Sequence, residues 1–348
     1  MCPKPLFKVL VGGWLLVGVL GCGPSVSPSG PGAGQARSEV ELLNVSYDPT
    51  RELWRELNER FSREYQQREN VAVSIKQSHG GSGSQARAVI DGLEADVITL
   101  ALFTDTDAIR KAGLIDKGWQ QRLPHDSLPY FSTIVFVVRK GNTKQINDWP
   151  DLVRDGVEIV TPSPKTSGNG KLSFLAAWGS VVLRGGSQDD ALKFVTQLYR
   201  QTPVLDPGAR AATSTFAQKG IGDVHLTWEN ESRLEVEEAK GELEVVYPPI
   251  SIRAEPFVAV VDANARRKGT EKVAEEYLRF VYTPAAQEIL ARHGYRPTNE
   301  AIGKGHAAKF PDIKLFAVTD ISQGWDDAHQ RFFAEGAVFD QIYQPQAE

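Results

Sequence analysis

Val71-Ala72-Val73-Ser74-Ile75-Lys76-Gln77-Ser78-His79-Gly80-Gly81-Ser82-Gly83-Ser84-Gln85-Ala86-Arg87-Ala88-Val89-Ile90 passes from strand through a loop of small residues into helix. Val71 to Lys76 alternates as a strand does, and Ala86 to Ile90 reads as helix. The N–H groups near Ser82 to Ser84 then stand at the positive end of a helix dipole, where an anion would sit. Glycine lets a ligand come close to the backbone. Taken alone, such a loop is equally a flexible connection.

The loop has counterparts. Val40 to Ser46 reads as a strand followed by Asp48-Pro49-Thr50, a helix start in which Asp48 is expected to cap and Pro49 suits the first helical position. Thr161-Pro162-Ser163-Pro164-Lys165-Thr166-Ser167-Gly168-Asn169-Gly170 follows the strand Val157 to Val160 and precedes an apolar helix, Leu172 to Trp178. Leu205-Asp206-Pro207-Gly208-Ala209-Arg210-Ala211-Ala212-Thr213 again leads into helix. One donor-rich helix start is ordinary capping, whereas four favour a shared anion cleft.

Strand and helix alternate throughout, which predicts α/β architecture with largely parallel sheets. Leu53, Leu57, Phe61 and Tyr65 recur at helical spacing as one buried face, and Ala95 to Leu102 reads as an interior strand. Thr133 to Val138 and Pro256 to Val261 bracket a middle section, so the chain is expected to form lobe 1 from 39–131 plus 256–348 and lobe 2 from 132–255. Two crossing strands would be the hinge.

The chain has 348 residues, is 41% hydrophobic and carries a net charge of -5. That length suits two lobes, and the interspersed charges argue against nucleic-acid binding. Residues 1–21 resemble a secretory signal, with Lys4 and Lys8 flanking the start of an apolar run from Leu6 to Leu20. Val19-Leu20-Gly21-Cys22 resembles a bacterial lipobox, which makes Cys22 the lipidated first residue of the mature chain. Residues 22–38 then form the lipidated cysteine and a Pro/Gly/Ser-rich tether. The membrane is expected to be met through that anchor alone.

Enzyme motifs mostly fail. Gly168-Asn169-Gly170-Lys171 lacks the upstream Gly and the following Ser/Thr of a P-loop, and Gly81-Ser82-Gly83-Ser84 misses the Gly-x-Ser-x-Gly spacing. His79-Gly80-Gly81 is similar to the oxyanion loop of some esterases, so an esterase-like hydrolase is the enzyme alternative. The six histidines lack metal-ligand spacing, and Asp105 with Asp107 lacks the Gly and Glu of a calcium loop. No metal and no cofactor is expected. Trp228 ends a strand and is either core or a donor into the cleft.

Several motifs together resemble the periplasmic sulfate-binding proteins of sulfate/thiosulfate ABC importers. They are Asn44-Val45-Ser46-Tyr47-Asp48-Pro49-Thr50-Arg51-Glu52, Gln77 to Gly83, Ala95 to Ala101, Ser132 to Phe136, Leu175 to Gly179, Gly220 to Val224, Thr227 to Glu231 and Phe339 to Ile342. The resemblance implies a type II periplasmic-binding-protein fold, two α/β lobes joined by two crossing hinge strands. It implies a monomeric, extracytoplasmic receptor without catalysis that delivers sulfate to the permease subunits of an ABC importer. Thiosulfate or a molybdate-type oxyanion is the alternative ligand. Carried over by position, the N–H groups of Asp48, Ser82, Gly168, Asn169 and Ala209, the hydroxyl of Ser167 and the indole N–H of Trp228 would bind sulfate. Asn169 stands where the family usually has glycine, and Pro207 where it usually has serine.

Overall fold

The structure, a computed structural model, describes residues 39–343. The expected signal segment 1–21, Cys22 and the tether lie outside the described residues. Twelve strands occur among the described residues. They are β1 (Glu39–Tyr47), β2 (Ala72–Gly80), β3 (Val97–Leu100), β4 (Tyr130–Arg139), β5 (Ile159–Pro162), β6 (Leu205–Asp206), β7 (Val224–Trp228), β8 (Leu243–Val246), β9 (Ile250–Ala254), β10 (Phe257–Val260), β11 (Arg296–Pro297) and β12 (Lys314–Phe316).

The first sheet has the order β10-β3-β1-β2, with β1 parallel to both β2 and β3 and β10 antiparallel to β3. Leu42 and Val45 of β1 are fully buried, as an interior strand covered on both faces requires. The helix Arg51–Glu69 turns Leu53, Leu57, Phe61 and Tyr65 inward, and each such side chain stabilises the fold by about 1.5–3 kcal/mol. It stops at Asn70, which takes the left-handed conformation (φ 54°) that asparagine tolerates.

The second sheet runs β12-β9-β4-β7-β5-β6. It is mixed, against the expectation of largely parallel sheets: β4 is antiparallel to β7, β8, β9 and β11. The cause is connectivity. The strand β9 runs antiparallel to β4 and leads directly into β10 of the first sheet, so the chain returns across the same boundary that β4 leaves. The strands β7 and β8 flank β4 on opposite edges, since both pair with Phe136 to Val138, while β9 pairs with Ser132 and Thr133 and β11 with Tyr130 and Phe131.

The chain's last described segment packs on the second sheet. Phe316, Phe332, Phe333 and Phe339 share a core with Phe174 and Trp178 of the helix Gly168–Val182, with the rings of Trp178 and Phe332 centred 4.8 Å apart. The expected division placed all of 256–348 with the first lobe. These aromatic residues follow the larger apolar surface of the Gly168–Val182 helix instead, which is buried almost all round. No helix among the described residues is long and apolar enough to cross a membrane.

Gly179 marks how close this packing is, because a Cβ there would overlap the Phe316 ring. Gly179→Ala should lower stability by about 1–3 kcal/mol, the usual cost of overpacking a core. Urea denaturation would show it as an earlier midpoint at unchanged slope.

Candidate functional site

Four of the expected helix starts converge. The strand β1 ends at Tyr47, and Asp48–Thr50 forms a 3-10 turn before the Arg51–Glu69 helix. The strand β2 extends to Gly80, beyond the alternating run, and the helix Ser82–Ile90 begins two residues later. The helix Gly168–Val182 starts after Ser167, and the helix Ala209–Thr213 starts after Gly208. The strand β7 brings Trp228 to the same place. Strand ends and helix starts of two sheets thereby enclose one small cavity, lined by Tyr47, Asp48, Pro49, Gly80, Gly81, Ser82, Ser167, Gly168, Asn169, Ala209 and Trp228.

All seven residues singled out from the sequence line this cavity. Its cavity volume is about 10 Å³, far below the ~300 to 1,000 Å³ of sites for drug-sized ligands. A small polyatomic ion suits it. The lining holds no Lys, Arg or His, and Asp48 is its one carboxylate.

The N–H groups of Asp48, Ser82, Gly168, Asn169 and Ala209 begin helical segments, where the first N–H groups have no acceptor within their own helix. The indole N–H of Trp228 is fully buried and has no partner among the described residues. Buried donors left in this state cost about 1–3 kcal/mol each, so the cavity calls for an acceptor. The Ser167 hydroxyl oxygen accepts from the Gly170 N–H at 3.5 Å, which leaves its own hydrogen free to turn inward.

Other side chains are held away from the cavity. The Ser82 hydroxyl donates to Asp105 at 2.5 Å and accepts from the Ala101 N–H at 3.0 Å, so Ser82 offers only its backbone N–H. The Asn169 amide donates to the Leu226 carbonyl at 3.3 Å and its oxygen accepts from Ser173 at 3.2 Å. The side chain that replaces the family's glycine is therefore tied back, not crowded into the space. Gly168 has no such room: a Cβ there would stand 2.5 Å from the Ala101 Cβ, where the two halves touch.

Asp48 does not cap its helix as expected. Tyr47 occupies the N-cap position, and the Asp48 carboxylate pairs with Arg51 at 2.8 Å, because that guanidinium lies one turn ahead and outcompetes a backbone N–H. The other nearby carboxylates are matched as well. Asp105 faces Lys171 at 3.4 Å, and Arg210 bridges Glu52 at 2.6 Å and Glu231 at 2.8 Å. Burial pushes the Glu231 carboxyl up to about 8, against the pull of Arg210. Burial, helped by Arg51, pushes the His79 imidazole down to about 4.

Tyr47, Pro49, Gly80 and Gly81 also line the cavity without having been singled out as ligand contacts, and Tyr47 is the one with a large side chain. Its signal was its place as the last residue of a central strand, where ligands of open α/β sheets gather. His79→Gln isolates the effect of the buried imidazole. Unfolded His79 titrates near 6.5 and the folded one near 4, so the unfolded chain binds the extra proton between those values. Stability from the neutral ring is thus full above about pH 6.5 and lost as pH falls through about 4. Melting temperatures taken from pH 7.5 down to 4.5 should therefore fall less steeply for His79→Gln than for the parent.

The chain matches the family model described as "Bacterial extracellular solute-binding protein" over residues 42–296. It is 51% identical over 306 residues to a sulfate-binding protein of Escherichia coli, covering 87% of this chain and 93% of that one. It is 47% identical over 314 residues to a thiosulfate-binding protein of Pseudomonas aeruginosa, covering 90% and 95%. A solved structure of a sulfate-binding protein from Mycobacterium tuberculosis superposes with a TM-score of 0.76 at 32% identity, covering 84% of this chain and 99% of that one.

Proposed function

We propose, from the premise that this chain belongs to the bacterial extracellular solute-binding proteins and within them to the sulfate-binding group, that it is an extracytoplasmic receptor delivering sulfate to an ABC importer. The observation that carries this reading is the Trp228 indole N–H, buried without a partner in a cavity whose walls hold no cation. A dianion there is held by uncharged donors: the N–H groups of Asp48, Ser82, Gly168, Asn169 and Ala209, the Ser167 hydroxyl and the indole. Dense hydrogen bonding replaces the lost water, and no opposing charge has to be desolvated with the ligand.

Asp48 and Ser82 come from segments of the first sheet and the other five donors from the second, so ligand favours the state in which both walls meet. The lobes of that closing motion are 39–131 plus 256–313 and 132–255, and the tail from Lys314 moves with the second. Closure is what the permease reads. The receptor is a monomer with no catalytic cycle, and Cys22 anchors it to the membrane by lipid after removal of residues 1–21. Thiosulfate is the second reading, supported by the relative from Pseudomonas aeruginosa of that name.

Calorimetry against sulfate, thiosulfate, molybdate and phosphate tests the assignment. Sulfate should bind most tightly, and absence of sulfate binding would refute the reading. Trp228→Phe and Ser167→Ala each delete one donor to a charged ligand and should cost about 1.5–3 kcal/mol, roughly tenfold to a hundredfold in affinity. Phosphate keeps at least one O–H through pH 5 to 8 and meets only donors, since the Asp48 carboxylate is held by Arg51. It should bind at least about tenfold more weakly than sulfate throughout that range. Cys22→Ser should retain sulfate binding and leave the membrane fraction, as centrifugation and blotting would show.

A further inference from the structure

We propose that Tyr47 is a positioning residue for the anion, acting through Trp228; the inference rests on the sulfate reading of the cavity. Tyr47 ends β1 of the first sheet and Trp228 ends β7 of the second, and their rings meet with centroids 5.2 Å apart at 41°. Both residues line the cavity. The Tyr47 ring is 2% exposed and its hydroxyl lies 3.3 Å from the Tyr130 hydroxyl at the start of β4.

A second link fastens the same two segments two residues further on. The Asn230 amide donates to the Tyr295 hydroxyl at 3.0 Å, and that hydroxyl donates to the Pro49 carbonyl at 2.7 Å. Tyr295 in turn stands edge-on to Tyr130 with centroids 4.7 Å apart. The segments Tyr47-Asp48-Pro49 and Trp228-Glu229-Asn230 are thus clamped at both ends. The consequence is geometric: the Asp48 N–H and the Trp228 N–H, donors from different sheets, are set at a fixed spacing. An indole without a hydrogen-bond partner has only its ring contacts to fix its rotation, and Tyr47 supplies the contact on the cavity side.

The test is a double-mutant cycle read by sulfate calorimetry, using Tyr47→Leu, Tyr47→Phe, Trp228→Phe and the double variant Tyr47→Leu with Trp228→Phe. Melting temperature checks that each variant folds. Tyr47→Leu should weaken sulfate binding about tenfold in the parent, yet only about twofold where the indole N–H is already gone, because neighbours in contact couple. Tyr47→Phe keeps the ring and should stay within about threefold of the parent. An equal loss for Tyr47→Leu in both backgrounds, or a Phe variant as weak as Leu, would overturn the positioning role while leaving sulfate binding in place. A parent protein that binds no sulfate would instead overturn the functional reading, and this inference with it.

Discussion

Buried N–H groups without acceptors are the constraint on which the rest of this molecule turns. Each helix start contributes donors that its own helix cannot satisfy, and here several are turned toward one another instead of toward water. Such an arrangement is unfavourable until an acceptor with many lone pairs enters. The tetrahedral dianion proposed above would answer them together. The energetics that make the empty cavity costly are those that make the filled one selective.

The surroundings serve that demand by keeping charge balanced at a distance. Asp48 faces Arg51 on the neighbouring turn, Asp105 faces Lys171 across the boundary, and Glu231 faces Arg210 within the second half. Ser82 and Asn169 spend their side chains on protein partners and present only backbone. Small residues then let the walls meet, as the contact of Gly168 with Ala101 shows. Local dipoles, more than formal charges, set the potential inside.

Much of this was legible in the chain. The i, i+4 recurrence of Leu53, Leu57, Phe61 and Tyr65 and the donor-rich starts at Asp48, Ser82, Ser167 and Ala209 follow from local periodicity and capping chemistry, which depend on neighbours in sequence. The mixed order of the second sheet depends on which strand returns beside β4, and no local pattern encodes that. The aromatic tail from Phe316 to Phe339 is apolar enough to cover either sheet, so its place had to be settled by packing. Asp48 was misjudged because capping rules weigh the backbone alone, and Arg51 offered a stronger partner. Tyr47 drew no separate reading from the sequence, because its ring contact with Trp228 across the boundary depends on residues far apart in the chain.

The strand β4 carries a consequence for how the chain reaches this state. Its pairing is completed by three strands whose residues lie from about a hundred to more than a hundred and fifty positions downstream. Contacts of that separation must wait for large loops to close, which makes folding slow. A nascent chain shorter than residue 297 leaves Tyr130 and Phe131 of β4 without their β11 partners, and unpaired edges invite wrong partners. The second sheet therefore ties its own completion to the arrival of nearly the whole polypeptide.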